Sequence, residues 1–356
     1  MESSALDSER SNAFAERMVG MLNEAALSLM ASIGHRTGLY DMMAILPPSS
    51  SEQIAKAAHL NERYVREWLA TQVIGHIVNY DAGSQTYHLP AEHAAFLTRK
   101  AEADNVALFC QYIALMGDVE DGIVNAFRHG GGVPYSEFPR FHQVMAEESA
   151  VTIVARLVDT ILPAIPGLVE RLDEGIDVLD VGCGSGRAIN AMALAFPRSR
   201  FTGFDFSEEA VTNARNQAIA MGIRNSCFSV MDVAQMDERA TCDLVTTFDA
   251  IHDQARPQEV LSAIARALRP HGTYLMQDIR GSSHLHNNLD HPTAPFLYTI
   301  STMHCMTVSL ALGGDGLGTM WGEERAMDML KTAGFNDVAL VNFDHDANNT
   351  YYVSRL

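Results

Sequence analysis

Three glycines, Gly182, Gly184 and Gly186, follow a short apolar run holding Val178, Leu179 and Val181, with Asp180 set just before the loop. Glycine lets the backbone come close to a ligand, and the helical pattern from Ala188 to Phe196 would present unpaired N–H groups at its start. The spacing is G-x-G-x-G. A dinucleotide fingerprint requires G-x-G-x-x-G, and here Arg187 takes the place of its last glycine. Asp180 would repel a pyrophosphate and attract an ammonium or sulfonium group. The chemistry expected is therefore binding of a cationic ligand at the end of a buried strand. Two more acids end apolar runs further along, Asp205 in FTGFDFS and Asp232 in FSVMDVAQM. In FDAIHDQARP another apolar run gives way to Phe248, Asp249, His252 and Asp253. A histidine there, with an unperturbed pKa near 6.5, would be largely neutral at pH 7 and able to accept a proton.

These residues need strands that end together and helices that cover both faces. Strand, glycine turn and helix are followed by Leu244 and Val245, a helix from Pro257 to Leu268, and a strand from Thr273 to Met276 reaching Asp278, the order of a doubly wound α/β sheet. A long insertion, 279–321, precedes a helix that Gly334 terminates, and two closing strands cover Val338–Phe343 and Tyr351–Val353. Ahead of the sheet the signals are helical. Ala26, Leu29, Met30 and Ile33 form one apolar stripe, and Leu39, Met42, Met43 and Leu46 the next. Ser49 and Glu52 have capping-box spacing, and Asn61 is placed to cap the following helix. Ile77 to Leu89, with turn residues 81–84, reads as a hairpin, so this part is a winged helix. Its second helix mixes Glu62 and Glu67 with Arg63 and Arg66 and offers no basic face to DNA. The run HGGGVPYSEF interrupts a mainly helical connector, where Tyr135, Phe138 and Phe141 are aromatic-wall candidates as well as core candidates.

The 356 residues suggest two domains, and 47% hydrophobic residues are ample for their cores. A formal net charge of −19 disfavours polyanionic partners. The first residues, MESSALDSERSNAF, have neither a basic nor an apolar leader pattern, and no apolar run has membrane-spanning length, so a cytoplasmic protein is expected. Cys110, Cys183, Cys227, Cys242 and Cys305 are scattered and lack C-x-x-C spacing, which argues against disulfides or structural zinc. His284, His286, Asp290 and His291 read as a polar loop rather than a metal site. His304 and Cys305 are neighbours on a helix and point about 100° apart, so they form no catalytic pair.

The motif DVGCGSG resembles the first motif of class I S-adenosylmethionine-dependent methyltransferases, and the whole layout resembles their small-molecule O-methyltransferases. That resemblance implies a Rossmann-like, seven-stranded core behind a mainly helical winged-helix domain. It implies domains at 1–100 for dimerisation, 101–167 for a connector and lid, and 168–356 for cofactor binding, with 279–321 as a substrate cap. Asp180, Gly182, Gly184, Gly186, Asp205, Phe206, Asp232, Val233 and Phe248 would bind S-adenosylmethionine, Asp205 at the ribose hydroxyls and Asp232 near the adenine. His252 would be the general base, with Tyr135 and His304 at the substrate. Gln254 stands where the family usually has an aromatic residue. The implied function is methyl transfer to a small-molecule hydroxyl by a homodimer. A S-adenosylmethionine-sensing transcriptional regulator and an N- or S-methyltransferase are the alternatives.

Overall fold

The computed structural model describes residues 6–356; the first five residues of the N-terminal stretch lie outside it. The chain forms two compact units, 1–115 and 116–356.

In the first unit α1 (Ser8–Thr37) starts where the Asp7 carboxylate accepts from Glu9 N and Arg10 N, and stops at Gly38 with φ 72°. It begins well before Ala26, where the apolar stripe read from the sequence starts. Met30 packs on the core, whereas Leu29 and Ile33 are 40% and 41% exposed, so the stripe is divided between core and solvent. After α2 (Leu39–Ile45) comes α3 (Ser51–Ala58), whose capping box uses Ser50 and Gln53 rather than Ser49 and Glu52. Ser49 is occupied elsewhere, exchanging backbone hydrogen bonds with Tyr87. Asn61 caps α4 (Glu62–Ile74) as expected. The hairpin pairs β1 (Asn79–Asp81) with β2 (Thr86–His88). Tyr40, Ile54, Val65, Trp68 and Leu69 fill the core, and Tyr40 donates to Gln72 Oε1 at 2.6 Å, satisfying a buried hydroxyl. On α4, Arg63 pairs with Glu67 and Arg66 with Glu62, so those cations are already neutralised.

The second unit is built on a seven-stranded sheet of order β5-β4-β3-β6-β7-β9-β8. Its strands are β3 (Asp177–Val181), β4 (Arg200–Asp205), β5 (Ser226–Val230), β6 (Cys242–Phe248), β7 (Leu268–Ile279), β8 (Asp337–Phe343) and β9 (Asp346–Arg355). The first five are parallel, and β9 runs antiparallel to both β7 and β8. Two apolar clusters cover the sheet, one including Ile189, Met192 and Leu275, the other including Val245, Ile264 and Leu330. The helices of this unit include α5 (Phe141–Ser149) and, covering the sheet, α6 (Arg187–Ala195), α7 (Glu208–Ala220), α8 (Pro257–Ala267) and α9 (Gly322–Ala333). Residues 306–311 of the insertion are helical and continue from a wider π turn at 301–305. Strand order reverses between β3 and β6, which opens a crevice at the carboxyl ends of the parallel strands.

Gly186, at φ 71°, closes the loop that feeds α6. A Cβ there would lie 2.7 Å from both Ala214 and Phe228, so its requirement is conformational and steric together. Gly186→Ala should lower stability by at least about 1 kcal/mol, read as a fall in the chemical-denaturation midpoint. An unchanged midpoint would contradict this account of the loop.

Candidate active site

Parallel pairing brings the chemical residues together. Asp180 on β3 sits opposite Thr246 on β6, and the threonine hydroxyl donates to Asp180 Oδ1 at 2.6 Å. This single hydrogen bond does not offset burial, which pushes the Asp180 pKa up to about 7, with Asp205 adding repulsion. Asp205, at the end of β4, accepts from Gly184 N through Oδ2 and from Ser207 N through Oδ1, both at 2.9 Å. Burial also raises its pKa, against the lowering effect of those two N–H groups. Both carboxylates therefore lack full compensation. A cation or hydroxyl donors would supply it.

The glycines differ in what they do. Gly184, at φ 50°, has open space where a Cβ would project, whereas a Cβ on Gly182 would lie 2.6 Å from Ala250. A cavity of about 90 Å³ brings together Asp180, Gly182, Gly184 and Phe248. Another, of about 500 Å³, runs from Gly182 past Asp205 and Phe206 to Asp232 and Val233. The structure thus places eight of the nine expected cofactor residues on two adjoining cavities; Gly186 instead packs beneath the loop. The Asp232 carboxylate is exposed and already receives Gln235 Nε2 and Arg256 Nη2, each at 2.8 Å. Taken together, an open glycine, two under-compensated buried carboxylates and an elongated, partly apolar cavity fit a cationic nucleoside ligand.

Beyond β6 the chain turns sharply at Asp249, a non-glycine residue at φ 49°, and this turn delivers His252 to the crevice. His252 is buried, and its Nδ1 lies 2.8 Å from Asp278 Oδ1 at the end of β7. Asp278 Oδ1 also accepts from Trp321 Nε1 at 2.9 Å, while Oδ2 is buried without a partner. Burial opposes charge on the imidazole, but Asp278, aided by Cys305, outweighs it and raises the His252 pKa well above 6.5. Against the expectation of a largely neutral histidine, the Asp278 carboxylate beside Nδ1 favours the protonated imidazole. The β7 end marked Asp278 in the sequence, but nothing there linked it to His252. Burial pushes the Asp253 pKa up to about 6 and that of Asp249 well above its usual range.

His304 faces a different set of neighbours. Its ring stacks on Phe141 with centroids 3.5 Å apart, and Tyr135 and Phe138 meet it edge-on at 5.2 and 4.7 Å. Both its ring nitrogens are buried without partners, and burial holds its pKa well below 6.5. Tyr135 joins the same aromatic group and lies 3.4 Å from His142 Nδ1 through its hydroxyl. Cys305 turns away from His304, accepting from Thr319 and lying beside His252. The histidines at 284 and 286 are exposed and stack at 5.7 Å. Among the described residues, Asp249, His252 and Asp278 are the one trio of candidate metal-ligand atoms, all within 4.8 Å of one another. In that trio His252 Nδ1 is already engaged by Asp278.

Residues 172–334 match the family model of a methyltransferase domain, and residues 25–99 match that of an Rv2258c-like winged HTH domain. The chain therefore couples a winged helix-turn-helix domain to a methyltransferase domain of the Rossmann-like, seven-stranded class. Over 115 residues, 31% of this chain, it is 32% identical to a ubiquinone biosynthesis O-methyltransferase of Idiomarina loihiensis, and the match spans 46% of that relative's length. The fold extends over whole chains. Mitomycin 7-O-methyltransferase aligns with a TM-score of 0.70 at 16% identity, covering 98% of this chain and 100% of that one. Human N-acetylserotonin methyltransferase, solved with S-adenosylmethionine, aligns at 0.68 and 17%, covering 100% and 99%.

The paired His252 should stay protonated well above pH 6.5 in an NMR titration of the ligand-free protein, and Asp278→Asn should bring its value down. Its pKa is raised in the folded state, so its contribution to stability is complete below the unfolded value of about 6.5 and is lost as pH rises through the folded value. An ordinary titration in the wild type would remove the ion pair.

Proposed function

We propose that this protein catalyses S-adenosylmethionine-dependent methyl transfer to a hydroxyl group of a small-molecule acceptor. The observation that carries the reading is the convergence, at the carboxyl ends of β3, β4, β6 and β7, of a glycine loop, two under-compensated carboxylates and a His–Asp pair. When bound, S-adenosylmethionine supplies the electrophilic methyl group. Asp180 compensates its ammonium charge, Gly184 admits the chain, and Asp205 accepts from the ribose hydroxyls with lone pairs not taken by the loop. Val233 and Phe206 give apolar surface beside the adenine, near Asp232.

Asp278 fixes the imidazole of His252 through Nδ1, so taking the acceptor's proton falls to Nε2, which would exchange its neighbour Cys305 for the acceptor hydroxyl. Only the neutral imidazole can do so, and a cationic ligand held nearby would favour that form by opposing protonation. Tyr135 and His304 line the acceptor's side, with 101–167 as connector and lid and 279–321 as cap. Asp205→Ala should weaken S-adenosylmethionine binding tenfold or more, since it removes charge-assisted hydrogen bonds worth roughly 1.5–3 kcal/mol. His252→Ala should leave that affinity nearly unchanged and reduce turnover by roughly 10²–10⁴ on a hydroxyl acceptor identified by metabolite screening. Calorimetry showing equal affinity for wild type and Asp205→Ala, or undiminished turnover in His252→Ala, would sink the respective assignment.

The same reading makes the protein a cytoplasmic homodimer. All five cysteines are free, in keeping with a reducing compartment. Among the described residues no single helix is long and apolar enough to cross a membrane. On α1, Phe14, Met18, Leu22, Leu29 and Ile33 expose an apolar stripe at helical spacing, and a second copy would cover it. The paired arginines of α4 give no support to DNA as the occupant. Light scattering should report a dimer that Leu22→Asp converts to a monomer. A monomeric wild type would reject this interface.

A further inference from the structure

We propose that Asp249, His252 and Asp278 form a binding site for a first-row divalent metal ion, held by two carboxylates and by Nδ1 of His252. An ion there takes the place of the Nδ1 proton and withdraws His252 from its role as base. That consequence rests on the base reading above; the binding of the ion does not.

The three side chains come from two strand ends. Asp249 and His252 lie on the turn after β6 and Asp278 near the end of β7, and one donor atom from each falls within 4.8 Å of the others. Ligand atoms held about 2.1 Å from one ion lie roughly 3 to 4.2 Å apart, so small side-chain rotations complete the shell. His252 Nδ1 and Asp278 Oδ1, at 2.8 Å, are already close to the spacing of neighbouring ligands. The other oxygen of Asp278, Oδ2, has no hydrogen-bond partner, and this side chain has no exposed surface. A carboxylate oxygen in that condition is costly unless a cation meets it. Asp249 is oriented by Gln277 Nε2, which donates to its Oδ1 at 3.1 Å, and as the half-buried member of the trio it offers an ion its way in. The charges agree. A proton shared by His252 and Asp278 cancels one carboxylate, whereas a divalent ion cancels both, and Glu148 and Asp346 add like charge around Asp249. One imidazole nitrogen beside two carboxylates suits zinc, cobalt, nickel or manganese better than calcium or magnesium, which take shells of oxygen. A neutral imidazole bound through Nδ1 keeps its hydrogen on Nε2 and has no lone pair there to accept a proton.

The test uses metal-stripped, full-length protein and needs no methyl acceptor. Co²⁺ is titrated while its visible d–d absorption is followed, and a single equivalent should saturate the band. Loss of even an outer partner costs a metal site roughly 10–100-fold in affinity, so Asp249→Asn should weaken Co²⁺ binding at least about tenfold. Asparagine tolerates the φ of 49° at this turn, and thermal melts should show the variant folded. Replacing the exposed pair, His284→Ala with His286→Ala, should leave the band unchanged. In protein carrying isotope-labelled histidine, Zn²⁺ should shift the Nδ1 resonance of His252 and leave hydrogen on Nε2. The site is overturned by a wild type that takes up no Co²⁺ in the sub-millimolar range, or by wild-type affinity in Asp249→Asn. A band lost with His284 and His286, or an Nδ1 resonance that Zn²⁺ leaves in place, overturns it equally. S-adenosylmethionine binding is read separately by calorimetry, so failure of this site leaves the methyl-transfer reading standing.

Discussion

One carboxylate holds the ligand end of the sheet in order. Asp205 accepts from Gly184 N on one side and from Ser207 N on the other, so the loop after β3 and the start of α7 share an anchor at the end of β4. A loop with positive φ at three glycines has many alternatives in the unfolded chain, and the hydrogen bond from Gly184 N to the buried carboxylate, with those from Gly182 N and Cys183 N to Phe204 O, selects one. The anchor also has an electrostatic cost. Burial raises the pKa of both Asp205 and Asp180, and Asp205 adds repulsion at Asp180.

The second cluster follows the same physics with opposite outcome. Asp278 collects His252, Trp321 and its own neighbour's N–H on one oxygen, and the imidazole beside it is stabilised in its charged form. Trp321 ends the 279–321 insertion, so that segment is tied directly to the carboxylate that pairs with His252. His304 illustrates the contrast: it is just as buried but packed among aromatic rings, and it is held neutral. Two histidines of equal intrinsic basicity are thus pushed in opposite directions, because one meets a carboxylate and the other is buried without one.

Much of the architecture was legible locally. Apolar runs bounded by glycine and aspartate marked β3, β4 and β6, Gly334 marked the end of α9, and Asn61 the start of α4, because these signals act within a few residues of chain. Errors fell where a distant partner competed. Ser49 exchanges backbone hydrogen bonds with Tyr87, and the cap passes to Ser50.

The site divides in the same way. Residue type and order alone determined the glycine loop, the strand-end acids and the presence of a histidine after β6, because backbone freedom and strand termination are properties of short segments. Charge state and partnership were decided only by the tertiary structure. Asp278 is 26 residues from His252 in the chain and 2.8 Å from it in space, and Phe141 reaches His304 from the far side of the glycine loop in sequence. Desolvation and Coulomb interactions depend on distances through space, which no local pattern encodes. Sequence could therefore nominate His252 as a base, but only packing set Asp278 beside it to favour its protonated form.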